Sequence, residues 1–500
     1  MARKGGKISQ KTKPEDRLKN RVVEISRARG RSMRELIEYD LSPSYYLFDE
    51  EGLMSKSIKS GLMKELESNL IDEDQKEPNF TEPSVRTAYI VDVMANVRKI
   101  SPREHNTFGE YCSAILDYVS NSSKHAHRID LVFDSYIDLS VKDSERKRRE
   151  GHQPIELNLV MEDTPLPVEM DRFWPSNENK HKLQLLLAQQ AISRAKGKPT
   201  DQEIVMSGFS DEPCMSCCSG SSDEVSELCL DIEEADSRII PHALHAVKHG
   251  VERIVVLSAD TDIFVLLLYY WQTLQVQGLF ELWMKAGVRD STRHIPIHLL
   301  ASRIGLDLCK VLPAVHTLTG CDYTSKVGTK PAAIKANPLV LEHFGISRNG
   351  PTEEDMVKAE SYLVQVMKKG TTLTSMDSLR DQQYHHSKGL SLHELPPTSH
   401  AIQYHIKRAY YATHEMTNIL SLNEDPLNPL SYGFEEDDET LVPVRGVRPI
   451  PEEFAIYCNC SKCATERWCS CRQNKLPCCT FCKCHVTDGE ICCKNPIGFM

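Results

Sequence analysis

The sequence contains no apolar run long enough to span a bilayer, and its N-terminus lacks the apolar core of a secretory signal. Both absences predict a soluble, intracellular protein without membrane contact. No internal repeat is present, which excludes an array of stacked units. Positive charge is the scarcer sign: 60 lysines and arginines stand against 71 aspartates and glutamates, a net charge of −11. That balance gives little support to nonspecific nucleic-acid binding by the chain as a whole. Cysteine is sparse over most of the length, because eleven of the 18 lie in the last forty-odd residues. Without an export signal, such crowding favours metal binding over a disulfide framework.

At 500 residues and 40% apolar content the chain can bury a substantial core, and its length suggests roughly two to four domains. The charge is uneven. Twelve basic residues between Arg3 and Arg34 face only Glu15, Asp16 and Glu24. Such an arm suits phosphate attraction or a nuclear import signal, and equally a solvated, disordered tail.

Past a weakly patterned stretch over 40–84, residues 86–93 (RTAYIVDV) predict a strand because they are β-branched and apolar and follow a proline. A helix is expected over 108–119, a strand over 128–133 and a helix over 179–195. Between 206 and 227 Ser, Gly, Asp and Cys dominate, predicting an exposed loop or insertion. A helix over 230–249, a strand over 253–257, a helix over 263–271 and a strand over 279–284 follow. The alternation predicts an α/β fold whose parallel sheet is flanked by helices and binds ligands beyond the carboxyl ends of its strands.

Acidic motifs run in one order along this region: IVDV with Asp92, LVFD with Asp134, EEAD with Glu234 and Asp236, SADTD with Asp260 and Asp262, and LTGCDYT with Asp322. Most sit at or just past a strand end, so their carboxylates should converge at one sheet edge. Hard cations such as Mg²⁺ and Mn²⁺ take oxygen ligands, and two ions about 3.5–4 Å apart can stabilise both the attacking and the leaving oxygen of a phosphoryl displacement. Without a cation, gathering like charges opposes folding. Taken singly, Asp92 or Asp134 suits an ordinary helix cap, and Glu233 a solvated helix residue.

Taken together, IVDV, VFD followed by SERKRR, EEAD, SADTD and TGCDYTSKVGTKPAAI resemble the flap endonuclease and XPG-type nucleases of the PIN-like superfamily. The resemblance spans about 86–338 and implies a PIN-like α/β core with two Mg²⁺ or Mn²⁺ ions. It implies as ligands Asp92, Asp134, Glu234, Asp236, Asp260, Asp262 and Asp322. It offers Lys142, Arg146 and Arg148 as the basic residues that contact the scissile phosphate. It likens TSKVGTKPAAIK to a hairpin that grips duplex DNA, where Gly328 allows the tight turn and Lys330 lies beside it. The chain departs from the family in its long N-terminal segment, in Ser135 where VFDG has glycine, in Asp236 for a glutamate, in the insertion at 206–227 and in a hairpin short of one glycine.

In the tail, Cys458, Cys460, Cys463, Cys469, Cys471, Cys478, Cys482, Cys484 and Cys492 form a candidate zinc set, with Cys479 and Cys493 as alternatives at the CC pairs. So short a segment cannot bury a useful core, and bound metal must supply its folding free energy. The spacing resembles the CXC domains of the tesmin and TSO1 family, and more loosely pre-SET clusters in which nine cysteines hold three zinc ions. Cys214, Cys217, Cys218 and Cys229 read as incidental, and His316 as a satisfied core histidine.

The expected organisation is a basic, partly disordered region over 1–84, a nuclease-like domain over 85–340, a helical extension over 341–422, an acidic linker over 423–455 and a zinc module over 456–496. The expected function is divalent-metal-dependent hydrolysis of DNA or RNA phosphodiester bonds, in a nuclear protein whose zinc module contacts nucleic acid, chromatin or other proteins. The alternative is a catalytically inactive, transposon-derived binding protein acting through that module.

Overall fold

The structure, a computed structural model, describes residues 22–40, 46–49, 51–70, 80–81, 85–135, 141, 155–158, 160–197, 202–208, 214–218, 221–287, 291–386, 395–421, 425–437, 440–461, 463–484 and 493–498. The chain divides into two compact units, one made of 56–371 with 405–444, the other of 1–55, 372–404 and 445–500.

The first unit is built on an eight-stranded sheet: β1 (Thr87–Asp92), β2 (Arg128–Val132), β3 (Glu203–Ser207), β4 (Met215–Cys218), β5 (Ser221–Glu224), β6 (Arg253–Leu257), β7 (Glu281–Ala286) and β8 (Arg293–Pro296), in the order β5-β4-β3-β2-β1-β6-β7-β8. The five central strands run parallel and the outer pairings are antiparallel. All six β1 residues are buried, which explains its unbroken apolar run. Ala88, Ile90, Ile254 and Val256 face one core cluster, which takes in Leu62, Met63 and Leu66 of helix α1 (Ser60–Glu67). Tyr89, Val91, Val255 and Leu257 face a second cluster, with helices α2 (Phe108–Ser122) and α3 (Asn177–Gly197). Helices α4 (Ala235–Lys248), α5 (Thr261–Val276) and α6 (Leu306–Leu318) belong to the first cluster's face.

The expected α/β sheet flanked by helices is therefore present. One local expectation is corrected. The 206–227 segment contributes β4 and β5, which extend the sheet antiparallel to β3, rather than only an exposed loop. Its polar composition resembled a loop because an edge strand solvates one face, while Cys214 and Cys217 are buried beneath it. Within 423–455, Phe434–Asp437 and Thr440–Pro443 pair as a short antiparallel ladder.

In the second unit, residues 22–28 are helical and Met33–Ile37 forms a short helix, capped where the Ser32 side chain accepts from the Glu35 N–H. Val22, Val23, Leu36 and Ile37 pack with Phe454. The described end of the basic arm is thus folded, and residues 1–21 lie outside the described residues. A buried C-terminal cysteine cluster completes this unit.

Candidate functional site

The sheet order reverses direction between β1 and β6: from β1 the chain builds outward to β2 and β3 on one side, and later to β6 and β7 on the other. Such a switch point opens a crevice beyond the carboxyl ends of the strands. Asp92 lies opposite Val132, and Val91 opposite Leu257. At about 3.3 Å per residue, Asp134 and Asp260 follow within two or three residues at the same edge. Asn96 ties the two strand ends together, its Nδ2 donating to Asp92 O at 2.6 Å and Leu257 O at 2.9 Å.

Asp92, Asp134 and Asp260 also serve the local structure. Asp92 caps the short helix Val93–Val97, its Oδ1 accepting from the Ala95 N–H at 3.0 Å. Burial, then the Asp134 charge and more weakly that of Asp260, push its carboxyl up to about 7 against the pull of that hydrogen bond. Asp134 Oδ1 accepts from the Ala235 N–H at 3.0 Å, and the Ser135 N–H donates to Glu233 O at 2.7 Å. These bonds dock the EEAD segment and the start of α4 on the end of β2. Ser135, the departure from VFDG, is held by its Oγ, which donates to Gly208 O and accepts from Arg238 Nη2 at 2.6 Å. Gly208, with φ +108, passes so close to Phe133 O that a Cβ would lie 2.1 Å from it.

Asp260 caps α5, its Oδ1 accepting from the Asp262 N–H at 2.9 Å. Burial and the nearby Asp262 and Asp322 charges raise its pKa against the pull of Lys59. Carboxylate oxygens of Asp236, Asp260 and Asp262 all lie within 4.8 Å of one another. That donor set fits a hard divalent cation, which takes carboxylate oxygens. Tyr323, next to Asp322, places its hydroxyl 3.4 Å from Glu234 Oε1.

Three side chains around these acids escaped the sequence reading of the site. Lys59 Nζ lies 3.0 Å from Asp262 Oδ2 and 2.9 Å from Asp322 Oδ2. Burial opposes its charge, but Asp262, Asp322 and Asp260 outweigh burial and hold its pKa above the ordinary lysine value. It comes from the unpatterned 40–84 stretch, where no motif pointed to it. His316 is fully buried and satisfied, as expected, but its partner is a site acid: Nε2 lies 2.8 Å from Asp262 Oδ1. Burial, then Lys330, depress its pKa to about 4, so the neutral ring donates through Nε2 and accepts at Nδ1 from Lys330, 3.3 Å away. Lys99 lies near enough to Asp92 to feel its charge, though burial lowers its pKa.

The Lys330 expectation is corrected. Its ammonium is buried and donates to His316 O at 2.6 Å and Gly320 O at 2.7 Å, so it braces the TGCD loop from inside instead of meeting a phosphate. Gly328 does adopt a left-handed conformation, φ +64, but what approaches it is Val366, whose Cγ1 would lie 2.6 Å from an added Cβ. Lys142, Arg146 and Arg148 lie outside the described residues.

The second unit carries the cysteine cluster. Three interlocking sets, Cys458/Cys463/Cys478/Cys484, Cys458/Cys471/Cys478/Cys482 and Cys458/Cys460/Cys463/Cys469, each bring four sulfurs within 4.8 Å of one another. Tetrahedral thiolates about 2.3 Å from zinc are about 3.8 Å apart. The Cys458 sulfur is 3.5, 3.9 and 3.7 Å from those of Cys463, Cys478 and Cys484. The shortest of the described contacts, Cys460 to Cys463, is 3.2 Å, well beyond the ~2.05 Å of a disulfide. The cluster could therefore hold zinc, with Cys458, Cys463 and Cys478 shared between sets. Cys492 lies outside the described residues. Arg29 reaches in from the N-terminal segment, its Nη2 3.4 Å from the Cys471 sulfur and its Nε and Nη1 on Pro477 O and Glu453 O. Among the described residues, no helix is long and apolar enough to cross a membrane.

No family model matches the sequence, and no curated protein matches it. Among solved structures the chain is similar to the T5 D15 protein co-crystallised with metal ions, at 11% identity and a TM-score of 0.32, over 67% of this chain and 92% of that one. It is also similar to a variant of the bacteriophage T5 D15 flap endonuclease in a pseudo-enzyme-product complex with DNA and metal ions, at 12% identity and a TM-score of 0.30, over 68% and 95% of the two chains.

Proposed function

We propose that the chain is a divalent-metal-dependent nuclease that hydrolyses phosphodiester bonds in DNA or RNA. The observation that carries this reading is the meeting of Asp236, Asp260 and Asp262 within 4.8 Å, at the strand-end crevice that Asp92 and Asp134 also border. The resemblance in motif order supports the same reading. Asp92, Asp134, Glu234, Asp236, Asp260, Asp262 and Asp322 are the acids available to hold metal. A bound Mg²⁺ or Mn²⁺ lowers the pKa of a water and stabilises charge on phosphate oxygens. The chain's own part is positional. The cap bonds of Asp92 and Asp260 set the carboxylates before substrate arrives, and His316 fixes the rotation of Asp262. Lys59 and the half-buried Lys99 supply positive charge beside a phosphate that bears several negative oxygens. Lys142 and Arg148 extend that charge in the reading drawn from motif order.

The cysteine-rich unit is proposed as a CXC-like zinc module that contacts nucleic acid or chromatin. Trp468 is exposed with the Arg467 guanidinium 5.4 Å from its ring, giving that surface a cationic aromatic element. The test is to incubate the full chain with Mn²⁺ and labelled flap DNA, single-stranded DNA and RNA. Metal-dependent cleavage by the wild type and none by Asp260→Asn is expected. Unchanged turnover in Asp260→Asn would refute the assignment of the centre. No cleavage of any substrate by a folded wild type would favour the binding-protein reading, in which Lys59 neutralises the acids without turnover.

A further inference from the structure

Two of the seven acids are already bridged by a cation belonging to the chain. The Lys59 ammonium lies 3.0 Å from Asp262 and 2.9 Å from Asp322. A metal ion held by those same two oxygens would sit about 2.0–2.1 Å from each. On the side of those oxygens that the ammonium occupies, that position falls within about 2 Å of it, so ion and ammonium exclude each other there by contact and by charge.

The lysine is placed by built structure and not by a loose surface side chain. Its side chain is 23% exposed, against 13% and 26% for its two partners. It immediately precedes α1, which is anchored by Leu62, Met63 and Leu66 in the core and by the Arg293 to Glu67 ion pair at 2.8 Å. Gly320, two residues before Asp322, has φ +112, and an added Cβ would lie 2.6 Å from Ser57 Cβ. Glycine at that position thus lets the segment carrying Lys59 pass against the TGCD loop. His316 meanwhile occupies the other oxygen of Asp262. Asp236 and Asp260 form, with Asp262, the compact oxygen set, and Lys59 is not part of it.

We propose that Lys59 is a resident cation that replaces one of two metal ions, so that the centre binds a single divalent ion through Asp236, Asp260 and Asp262. This rests on the metal-dependent reading above and departs from the two-ion expectation. The Asp262/Asp322 pair does not fit a second ion while Lys59 holds it. Lys59 then supplies the second positive charge without a metal site that must be filled.

The experiment counts Mn²⁺ bound to the full zinc-loaded chain by equilibrium dialysis, with electron paramagnetic resonance to detect coupled pairs. The wild type is expected to bind one ion with an uncoupled spectrum. Lys59→Met is expected to bind two, with spin coupling. Asp322→Asn is expected to keep one, which makes the proposal testable even where Lys59→Met fails to fold. Two coupled ions in the wild type would overturn the role of Lys59 and leave the metal centre standing, as would a folded Lys59→Met that still binds one. Loss of the ion in Asp322→Asn would also overturn it, by making Asp322 a required ligand. No Mn²⁺ on the wild type would overturn the metal-centre reading and this inference together.

Discussion

Asp262 takes its chemistry from its neighbours: one oxygen accepts from His316, the other from Lys59. Asp92, Asp134 and Asp260 are legible in a linear reading because each sits at or just past a strand whose apolar run announces its end. Their partners are not. Lys59 lies some two hundred residues away from Asp262, and Lys330 could be read as a phosphate contact because sequence does not tell which way an ammonium turns. His405 makes a related point. It is fully buried and its ring lies 2.8 Å from Leu318 O, at the end of α6 just ahead of the TGCD loop. Burial, then the Arg408 charge, depress its pKa to about 3. The native ring therefore stays neutral while the unfolded chain takes up a proton below about pH 6.5. More protons on the unfolded state means stability falls as pH falls, by up to about 1.4 kcal/mol per unit from this residue between about 6.5 and 3. Urea melts across that range should show a flatter decline for His405→Gln, which keeps a donor, than for the wild type. Parallel declines would show that His405 is not the titrating group.

At the level of elements, the central strands were readable because burial on both faces removes polar residues from them. The outer pair β4 and β5 was not, since an antiparallel edge needs no such composition. The contact that closes the switch point was equally hidden. Asn96 lies in a five-residue helix of no strong pattern, yet its amide holds the carboxyl ends of β1 and β6 at 2.6 and 2.9 Å. Replacing it with alanine leaves the buried Leu257 carbonyl without this donor and opens space at the crevice floor. Asn96→Ala should destabilise the sheet unit by about 1–3 kcal/mol. Denaturant titration should show a lower midpoint with an unchanged slope. An unchanged midpoint would mean that the strand ends are held without the bridge.

On the scale of the molecule, the second unit draws on residues 1–55, 372–404 and 445–500, a grouping no pass along the chain can show. The cysteines were legible by spacing, but Ile25 packing among them and Arg29 on Cys471 were not, because a basic arm looks alike whether solvated or folded. This makes the folding of the described N-terminal helices dependent on the cysteine cluster. Structural zinc contributes about 10–16 kcal/mol in small thiolate sites, comparable with the whole stability of a domain, about 5–15 kcal/mol. Chelation with a strong zinc ligand should therefore melt this unit, and amide protons over 22–37 should lose their exchange protection along with those of the cysteine segment. The sheet unit, whose core contains none of these thiolates, should retain its protection. Arg29→Met should produce a partial version: its three carbonyl acceptors and the Cys471 thiolate lose a shared donor, so zinc is released at lower chelator concentration, by about 10–100-fold if the arginine orients its ligand as partners beyond the metal ligands commonly do. Protection over 22–37 that survives complete zinc removal would instead mean that the N-terminal helices fold on Phe454 and its neighbours alone.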